Sequence, residues 1–440
     1  MAVMSGRRAI GSLTAVNAVT FATAILSGPI LAHALGPDGR GLLAAILVPA
    51  TFAPWLFDFG RAAYCGQAAA RGTDVGVLLG SMLVLCALSG LAGLAIGIVA
   101  GPLLAHGRDV VSTYLLVAFL LLPVALAVTV LSGINIGLER WPPVIASKLI
   151  LSVGSLLALL VLFASGSLTV GSAAAATLAA SYVSALPLVR AARGRRLQVS
   201  RQVMRAGSAF GAKAWTGGLA SMANMRLDQL LMAPLVSARQ LGLYAVAVTL
   251  SGVTSVFTGA AMQVVTPRAA SGRIDEIASM TRVSLISVLC LAVALAVTAP
   301  FLLPILFGGD FRAAVPMAEV LLVGAIPLAG VAVLAAGLTG AGHPGSTACA
   351  EIATLLVTVA GLVALLPSFG GMGAAAVSAV AYTLDFAILV WFAVRRLGRP
   401  AHAWLIPRAS DVRAIADFAR ALTRRLASTA SDPSAQGAGT

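Results

Sequence analysis

The sequence predicts an all-α integral membrane protein with about twelve transmembrane helices in two pseudo-symmetric six-helix bundles and with both termini in the cytoplasm. Three observations lead to this fold class: the composition, the spacing of the apolar runs and the distribution of arginine. Of the 440 residues, 59% are apolar and only 10% are charged, and the mean hydropathy is +0.99. A soluble domain carries about 25% charged residues. The composition therefore predicts a polytopic membrane protein with little soluble mass.

The apolar residues are grouped into runs of the length that a bilayer requires. A helix needs about 20 predominantly apolar residues to cross the hydrocarbon core. Most breaks between the runs are short and rich in glycine, proline or charge, as turns are. About twelve runs are found, near residues 11–35, 41–63, 75–104, 111–138, 143–164, 168–190, 208–235, 241–266, 281–307, 315–340, 348–367 and 372–395.

The basic residues alternate between the two sides of the predicted membrane. One set of loops holds Arg7, Arg8, Arg61, Arg71, Arg140, the cluster at 190–205, Arg268, Arg273, Arg282 and every arginine from Arg395 onward. The opposite set holds only Arg40, Arg108, Arg239 and Arg312. Because cytoplasmic loops are enriched in lysine and arginine, both termini are predicted to be cytoplasmic. The same bias accounts for the net charge of +14, so no nucleic-acid partner is expected.

The two halves of the chain resemble each other at a shift of about two hundred residues. Gly41-Leu-Leu-Ala is similar to Gly242-Leu-Tyr-Ala, and Lys148 and Glu351 occupy near-equivalent places. We therefore predict one bundle over 1–198 and a second over 199–398. Parallel repeats of this kind are related by an axis along the membrane normal and hold the transport site between them.

The remaining residues, 399–440, are predicted to form a basic cytoplasmic tail. Ser410 or Asp411 can cap a helix, and Val412, Ile415, Ala419, Leu422 and Leu426 then share one face. This pattern is typical of an amphipathic helix that lies on the membrane surface. A frayed tail is the alternative, and residues 428–440 are predicted to be disordered.

No pattern for a cofactor, a metal or covalent catalysis is found. The four cysteines and four histidines are isolated from one another, and their spacing fits neither a metal site nor a disulfide framework. The chain also lacks a phosphate-binding P-loop. We therefore expect a transporter, not an enzyme, and one that an ion gradient, the membrane potential or the gradient of its own substrate drives.

The charges within the apolar runs indicate where that transporter binds its substrate. The run 208–235 contains Asn224, Arg226 and Asp228. A buried charge in lipid is costly unless it is paired or hydrated, so these residues predict a water-filled polar interior, with an inter-helix structural pair as the alternative. Residues two apart on a helix do not face each other, so Arg226 is expected to point away from Asp228.

Other intramembrane polar residues are candidates for the same cavity or for ion coupling. Asn17 and Thr20 lie on a polar stripe of the first helix. Asp58 and Arg61 are three apart and are predicted to pair on one face of the second helix, either in the cavity or as an interfacial pair. Candidate proton or ion sites are Lys148, Glu319, Glu351 and Asp385. For each of these four, a buried structural role is the alternative.

Two sequence motifs carry a family resemblance. Arg226-x-Asp228, a short loop and Gly242-x-Tyr244-x-x-Ala247 resemble the seventh and eighth helices of polysaccharide flippases, which belong to the superfamily that also holds the multidrug (MATE) exporters and the lipid II flippases. Leu35-Gly-Pro-Asp-Gly-Arg-Gly41 is a second match, although the family usually has glutamate at the position of Asp38. The resemblance covers about residues 10–398.

The resemblance implies a substrate and a setting. The implied activity is flipping of an isoprenoid-pyrophosphate-linked oligosaccharide from the inner to the outer leaflet of a bacterial cell membrane, with Arg226 meeting phosphate or acidic sugar and with Asn17, Thr20 and Asn224 binding hydroxyls. The expected partners are membrane lipid, the lipid-linked oligosaccharide and the polymerase or glycosyltransferases of the same pathway. The alternatives are an ion-coupled multidrug exporter and, less favoured, a membrane-embedded polysaccharide polymerase or ligase.

Overall fold

The computed structural model describes residues 6–411 and Arg413, and in this part of the chain no β-strand forms. The helices are α1 (Gly6–Asp58), α2 (Arg61–Ala70), α3 (Val75–Ala105), α4 (Asp109–Leu120), α5 (Leu122–Gly137), α6 (Trp141–Leu149), α7 (Ser155–Ala164), α8 (Val170–Val183), α9 (Leu186–Ala192), α10 (Arg201–Leu235), α11 (Ala238–Gly252), α12 (Ser255–Ala270), α13 (Ile274–Phe307), α14 (Val315–Gly340), α15 (Pro344–Leu397) and α16 (Ala401–Leu405). A π-helical turn, Ile150–Gly154, joins α6 to α7, and a 3₁₀ turn, Gly309–Ala314, precedes α14. The all-helical prediction is confirmed.

Seven of the helical segments in the described residues are long and apolar enough to cross a membrane, and the number rises to eight if α4 and α5, which meet at a bend of 48°, form one span. The seven begin and end at Ala15–Asp58, Val75–Ala105, Trp141–Ala164, Val170–Ala192, Ile274–Phe307, Gly309–Gly340 and Pro344–Leu397. In the described chain α10, α11 and α12 are absent from this set. The polytopic membrane class is therefore confirmed, whereas the count of twelve and the side of each terminus stay predictions.

Two very long helices are each divided by one glycine. Within the 53 residues of α1, Gly36 has φ 63° and ψ −177°, and within the 54 residues of α15, Gly370 has φ 52° and ψ −132°. Both values lie in a region of positive φ that glycine enters without steric cost because it has no Cβ. A glycine at each position therefore allows the chain to change direction without a loop.

The chain forms two compact units. The first comprises the described residues up to Leu250 together with Thr298–Leu321 and Glu351–Ala381, and the second comprises Ser251–Val297, Leu322–Ala350 and the described residues from Tyr382 onward. This division groups residues by their contacts in space, whereas the predicted bundles divide the chain by position in the sequence. The bundles at 1–198 and 199–398 and the tail at 399–440 remain predictions.

In the second unit, the segment after α15 packs against α13. Asp411 is fully buried and accepts hydrogen bonds from Arg282 Nε at 2.7 Å and Ser279 Oγ at 2.8 Å. Burial alone raises the pKa of Asp411, but the bonds from Arg282, the Arg408 amide and Ser279 outweigh it, so the pKa lies below its usual value. The amphipathic helix predicted from Val412 to Leu426 lies, apart from Arg413, outside the described residues, as do residues 428–440.

Candidate functional site

The candidate site is a buried polar cluster in the first unit, where α10, α11 and α15 meet. Asn224 and Asp228 lie four residues apart on α10, so they share one face of that helix. Their exposed fractions are 8% and 4%. Tyr244 of α11 and Glu351 of α15 are buried beside them. Polar groups buried to this extent are costly unless they are hydrogen-bonded, so their partners determine what the site can do.

Asp228 is held by groups from two helices. Its Oδ2 accepts a hydrogen bond from the Tyr244 hydroxyl, and its Oδ1 accepts one from the main-chain N–H of Gln229 at 2.7 Å. The Tyr244 hydroxyl also lies 3.3 Å from Ser378 Oγ on α15. This chain of contacts fixes the Asp228 carboxyl group inside the helix bundle.

Glu351 meets a neutral partner. Asn224 Nδ2 donates to Glu351 Oε2 at 2.7 Å and also to the Glu351 carbonyl oxygen at 3.0 Å. No arginine or lysine forms an ion pair with Glu351 among the described residues. Asn224 Oδ1 and Thr354 Oγ1 are buried without a protein hydrogen-bond partner in the same part of the chain. The cluster therefore offers two oxygen atoms beside a carboxyl group that has no positive counter-charge.

Arg226 projects from a different face of α10, as predicted, and is half-buried. Within the described chain its guanidinium makes no ion pair, so no carboxylate of a neighbouring helix neutralises it at contact distance. The interpretation of Arg226 as one half of a structural ion pair is therefore not supported. A planar guanidinium that makes no ion pair can bind phosphate in a bidentate manner.

A similar polar contact forms near the start of α1. Lys148 Nζ on α6 donates to Asn17 Oδ1 at 3.3 Å, and both side chains are exposed. Thr20, one turn further along α1, is exposed as well. Each half of the sequence thus places an asparagine from its first helix against the ionisable residue at the equivalent position of its fifth predicted span: Lys148 in one half and Glu351 in the other.

The expected ion pair between Asp58 and Arg61 does not form. Phe59 and Gly60 have positive φ angles and separate α1 from α2, so the assumption of one continuous helix face was wrong. Arg61 is 3% exposed and donates to the main-chain carbonyls of Phe57 and, at 2.7 Å, Leu85. The Asp58 carboxylate instead accepts from Thr129 Oγ1 at 2.9 Å.

The last two predicted ion sites lie in contrasting surroundings. Glu319 on α14 is exposed and makes no ion pair within the described residues. Asp385 on α15 is 3% exposed and belongs to the second unit. Neither residue belongs to the cluster around Asp228.

A close contact joins the two glycine motifs, also within the first unit. A Cβ atom on Gly41 of α1 would overlap the carbonyl oxygen of Ala238, and one on Gly242 of α11 would overlap the carbonyl oxygen of Pro37. Only a residue without a Cβ fits at either position. Beside this crossing of α1 and α11, Asp38 Oδ2 lies 3.8 Å from Arg239 Nη1. We call this contact the Gly41–Gly242 crossing.

Arg108, which directly precedes α4, forms hydrogen bonds to the C-terminal end of α10. It donates to the carbonyl oxygens of Ala233, at 3.2 Å, and Val236, at 3.1 Å, where α10 ends. Carbonyl groups at a helix C-terminus lack partners within the helix and attract cations. Sequence reasoning assigned Arg108 only to a loop, because nothing in its local pattern indicates a contact more than one hundred residues away.

One comparison with known proteins shows a family, and another shows a fold. Residues 7–273 match the family model described as "Polysaccharide biosynthesis protein". No curated protein sequence matches the chain. A solved inward-facing structure of a multidrug resistance MATE family transporter of the MOP superfamily is similar with a TM-score of 0.73 and 13% identity, over 86% of this chain and 94% of that one.

Two further solved structures are similar in fold. The lipid II flippase MurJ in an inward closed conformation gives a TM-score of 0.72 at 13% identity, over 88% of each chain. An outward-facing MATE family transporter gives a TM-score of 0.60 at 15% identity, over 89% of this chain and 95% of that one. The chain therefore shares its fold with two solved MATE family transporters and with a lipid II flippase.

Proposed function

The chain belongs to the polysaccharide biosynthesis protein family, and from that membership we propose that it flips an isoprenoid-pyrophosphate-linked oligosaccharide from the inner to the outer leaflet by alternating access. The observation that carries the proposal is that Arg226 on α10 is half-buried and forms no ion pair among the described residues. A pyrophosphate head group supplies the negative charge that such a residue favours. The family assignment and Arg226 thus favour the same class of substrate.

The composition of α10 supports a role in lining a polar path. The helix has 35 residues, which at about 1.5 Å per residue is more than the hydrocarbon core requires. Among the described helices, however, it is not in the set that is long and apolar enough to cross a membrane. A sugar head group needs water and hydrogen-bond partners throughout its passage, so a helix of this polarity suits the cavity better than the lipid boundary.

We also propose that the protein has twelve spans and cytoplasmic termini. The bends at Gly36 and Gly370 divide α1 and α15 into two spans each. Single spans then come from α3, from α4 with α5, from α6 with α7, from α8 with α9, from α10, from α11 with α12, from α13 and from α14. In this arrangement the Gly41–Gly242 crossing lies on the outer side, and the loop with the most arginines, 190–205, lies in the bacterial cytoplasm.

The Gly41–Gly242 crossing is the outer gate in its closed state under this proposal. Its main-chain contacts leave no passage where α1 and α11 meet. Opening would separate the two glycine motifs, beside which the exposed Asp38 and Arg239 side chains form an ion pair.

Glu351 is the proposed ion-coupling residue. It is 7% exposed and has only the Asn224 amide and no cation beside it in the described chain. A carboxyl group in such surroundings gains or loses a proton or a cation at a free-energy cost that neighbouring helices can alter. Lys148 and Glu319 are exposed, so neither is enclosed by protein as Glu351 is.

The test measures substrate movement in vesicles that contain the purified protein and a fluorescent lipid-linked oligosaccharide. Arg226→Ala is expected to abolish flipping at unchanged protein abundance, and Arg226→Lys to retain part of it, because the charge stays but the planar fork is lost. Arg201→Ala, at the exposed start of the same helix, is the matched control and should flip normally. Normal flipping by Arg226→Ala would reject the contact with substrate.

A multidrug exporter is the alternative, since a fold shared with MATE transporters does not identify the cargo. The same vesicles discriminate between the two functions. Uptake of a lipophilic cation without flipping of the lipid-linked oligosaccharide would favour the exporter.

A further inference from the structure

The side chain of Gln240 joins α11 to the break in α15, within the first unit. Gln240 Oε1 accepts a hydrogen bond from the main-chain N–H of Gly371 at 2.9 Å. Gly371 directly follows Gly370, where the backbone of α15 leaves the helical conformation. The first N–H groups of a helix have no partner within it, so Gln240 supplies an acceptor that α15 itself lacks after the break.

The carboxamide group of Gln240 lies directly against the break. A Cβ atom on Gly370 would overlap Gln240 Oε1 and would lie 2.7 Å from Gln240 Cδ. The carboxamide group therefore occupies the space that a side chain at Gly370 would need. The glycine at this position thus permits two things at once, the positive φ of the break and the approach of Gln240.

Gln240 also belongs to a motif in which such a side chain usually bonds to its own helix. Ser237-Ala-Arg-Gln240, at the start of α11, has the Ser-x-x-Gln pattern of a capping box. In a capping box the serine hydroxyl accepts from the N–H of the glutamine, and the glutamine side chain accepts from the N–H of the serine. The first bond is present, from Gln240 N to Ser237 Oγ at 3.3 Å. The second is absent, because the Gln240 side chain is turned toward Gly371.

Gln240 Oε1 therefore has two alternative donors. One is the Gly371 N–H on α15, and the other is the Ser237 N–H, which donates to no group of the described chain. If α11 moves away from α15, the bond to Gly371 breaks and the capping box can close. An exchange of one hydrogen bond for another costs much less free energy than the loss of a bond, which leaves polar groups without partners.

We propose that Gln240 alternates between these two donors, that its bond to Gly371 holds α11 against α15 when the outer side is closed, and that its return to Ser237 accompanies opening. The inference rests on the proposed outer gate, because Gln240 lies two residues before Gly242 of the Gly41–Gly242 crossing. The start of α11 then contacts α1 through Gly242 and α15 through Gln240. A single movement of α11 releases both contacts. Gln240 is a positioning residue in this arrangement and does not touch the cargo.

Amide hydrogen exchange at Gly371 measures how often the contact opens. Gly371 is buried, so its N–H exchanges with solvent only when α11 separates from α15. Exchange is followed by mass spectrometry, with fragmentation that resolves single amides, on the full-length protein in nanodiscs without substrate. Because no cargo is present, the result does not depend on whether the protein flips a lipid-linked oligosaccharide. A failure of the proposed cargo and a failure of this inference are therefore distinguishable.

Variants of the two capping-box residues should change the exchange rate in opposite directions. Gln240→Ala removes the acceptor and should make exchange at Gly371 about tenfold faster, whereas Gln240→Glu, whose carboxylate accepts from either N–H, should exchange as the wild type does. Ser237→Pro removes the alternative donor, since proline has no N–H, and the extended conformation of Val236 suits a residue before proline. This variant should make exchange about threefold slower.

The controls separate the exchange of donors from a purely structural hydrogen bond. Ser237→Ala loses the hydroxyl but keeps the N–H, so it should not slow exchange at Gly371. Gly41→Ala, which prevents the crossing with α11, should make exchange at Gly371 about threefold faster, and Gly309→Ala should leave it unchanged.

Three results would each overturn the inference. Equal rates in Gln240→Ala and the wild type would show that the bond to Gly371 does not hold α11 in place. Equal rates in Ser237→Pro and Ser237→Ala would show that the Ser237 N–H is not the second donor. An unchanged rate in Gly41→Ala would show that the contacts of α11 with α1 and α15 open independently.

Discussion

Gly41 and Gly242 pack reciprocally. The carbonyl oxygen of Ala238, four residues before Gly242, fills the space that a Cβ of Gly41 would need, and the carbonyl oxygen of Pro37, four residues before Gly41, fills the space that a Cβ of Gly242 would need. The two glycines occupy equivalent positions in the two similar sequence motifs. The similarity of the motifs is therefore accompanied by a symmetric contact, in which each motif supplies a carbonyl group and a glycine.

Gly41→Ala is expected to prevent this contact, because the added methyl group meets main chain that cannot rotate away. Flipping should be lost, and crosslinking between cysteines at Asp38 and Arg239, in a background without the native cysteines, should fall severalfold. Gly309→Ala is the control, since a Cβ there meets nothing within 4 Å. Unchanged crosslinking in Gly41→Ala would show that the crossing is not needed for closure.

Glu351→Gln should separate ion coupling from folding. The amide oxygen can still accept from Asn224, so the unfolding free energy is expected to change by no more than about 1 kcal/mol. Flipping should lose its dependence on an imposed proton or sodium gradient, because the side chain no longer ionises. Glu319→Gln, at an exposed position, should behave as wild type. If Glu351→Gln keeps the gradient dependence, the coupling residue lies elsewhere.

Arg61 is expected to stabilise the fold independently of Asp58. Arg61→Ala removes a charged donor to two main-chain carbonyls, and each hydrogen bond to a charged group contributes about 1.5–3 kcal/mol to the free energy of unfolding. Exchanging the two charges should not restore stability, and a double-mutant cycle should give a coupling free energy below about 0.5 kcal/mol. Recovery in the exchanged variant would contradict the observed hydrogen bonds.

The lowered pKa of Asp411 predicts that the protein loses stability in acid. Its folded pKa is lowered, so its contribution is complete above its unfolded pKa of about 3.9 and is lost as the pH falls through the lower folded value. At pH 7, Asp411→Asn should cost about 3–5 kcal/mol, because it strands the buried Arg282 charge. Asp275→Asn, which disrupts an exposed pair with Arg399, should cost at most about 1 kcal/mol. Thermal unfolding at pH 7 compares the two variants, and thermal unfolding at pH 3 measures the loss of stability in acid. That loss should be smaller in Asp411→Asn than in the wild type, and an equal loss would contradict the role assigned to Asp411.

The sequence alone was enough to predict the fold class and the features that depend on local helical periodicity. Composition predicted a polytopic membrane protein, and helical spacing placed Arg226 away from Asp228. The same periodicity failed at Asp58 and Arg61, because the turn at Phe59 and Gly60 interrupts the helix. Local patterns also could not give Tyr244 or Ser378 as the neighbours of Asp228, since such contacts arise only when helices distant in sequence pack together.

The polarity of α10 has a consequence for biosynthesis. During translation, α10 leaves the ribosome long before its partners, and Glu351 follows Asn224 by 127 residues. A segment of low hydropathy partitions weakly from the insertion machinery into lipid by itself. Its stable integration must therefore wait for later helices, and nascent chains that stop before α15 should remain bound to the translocon or be degraded.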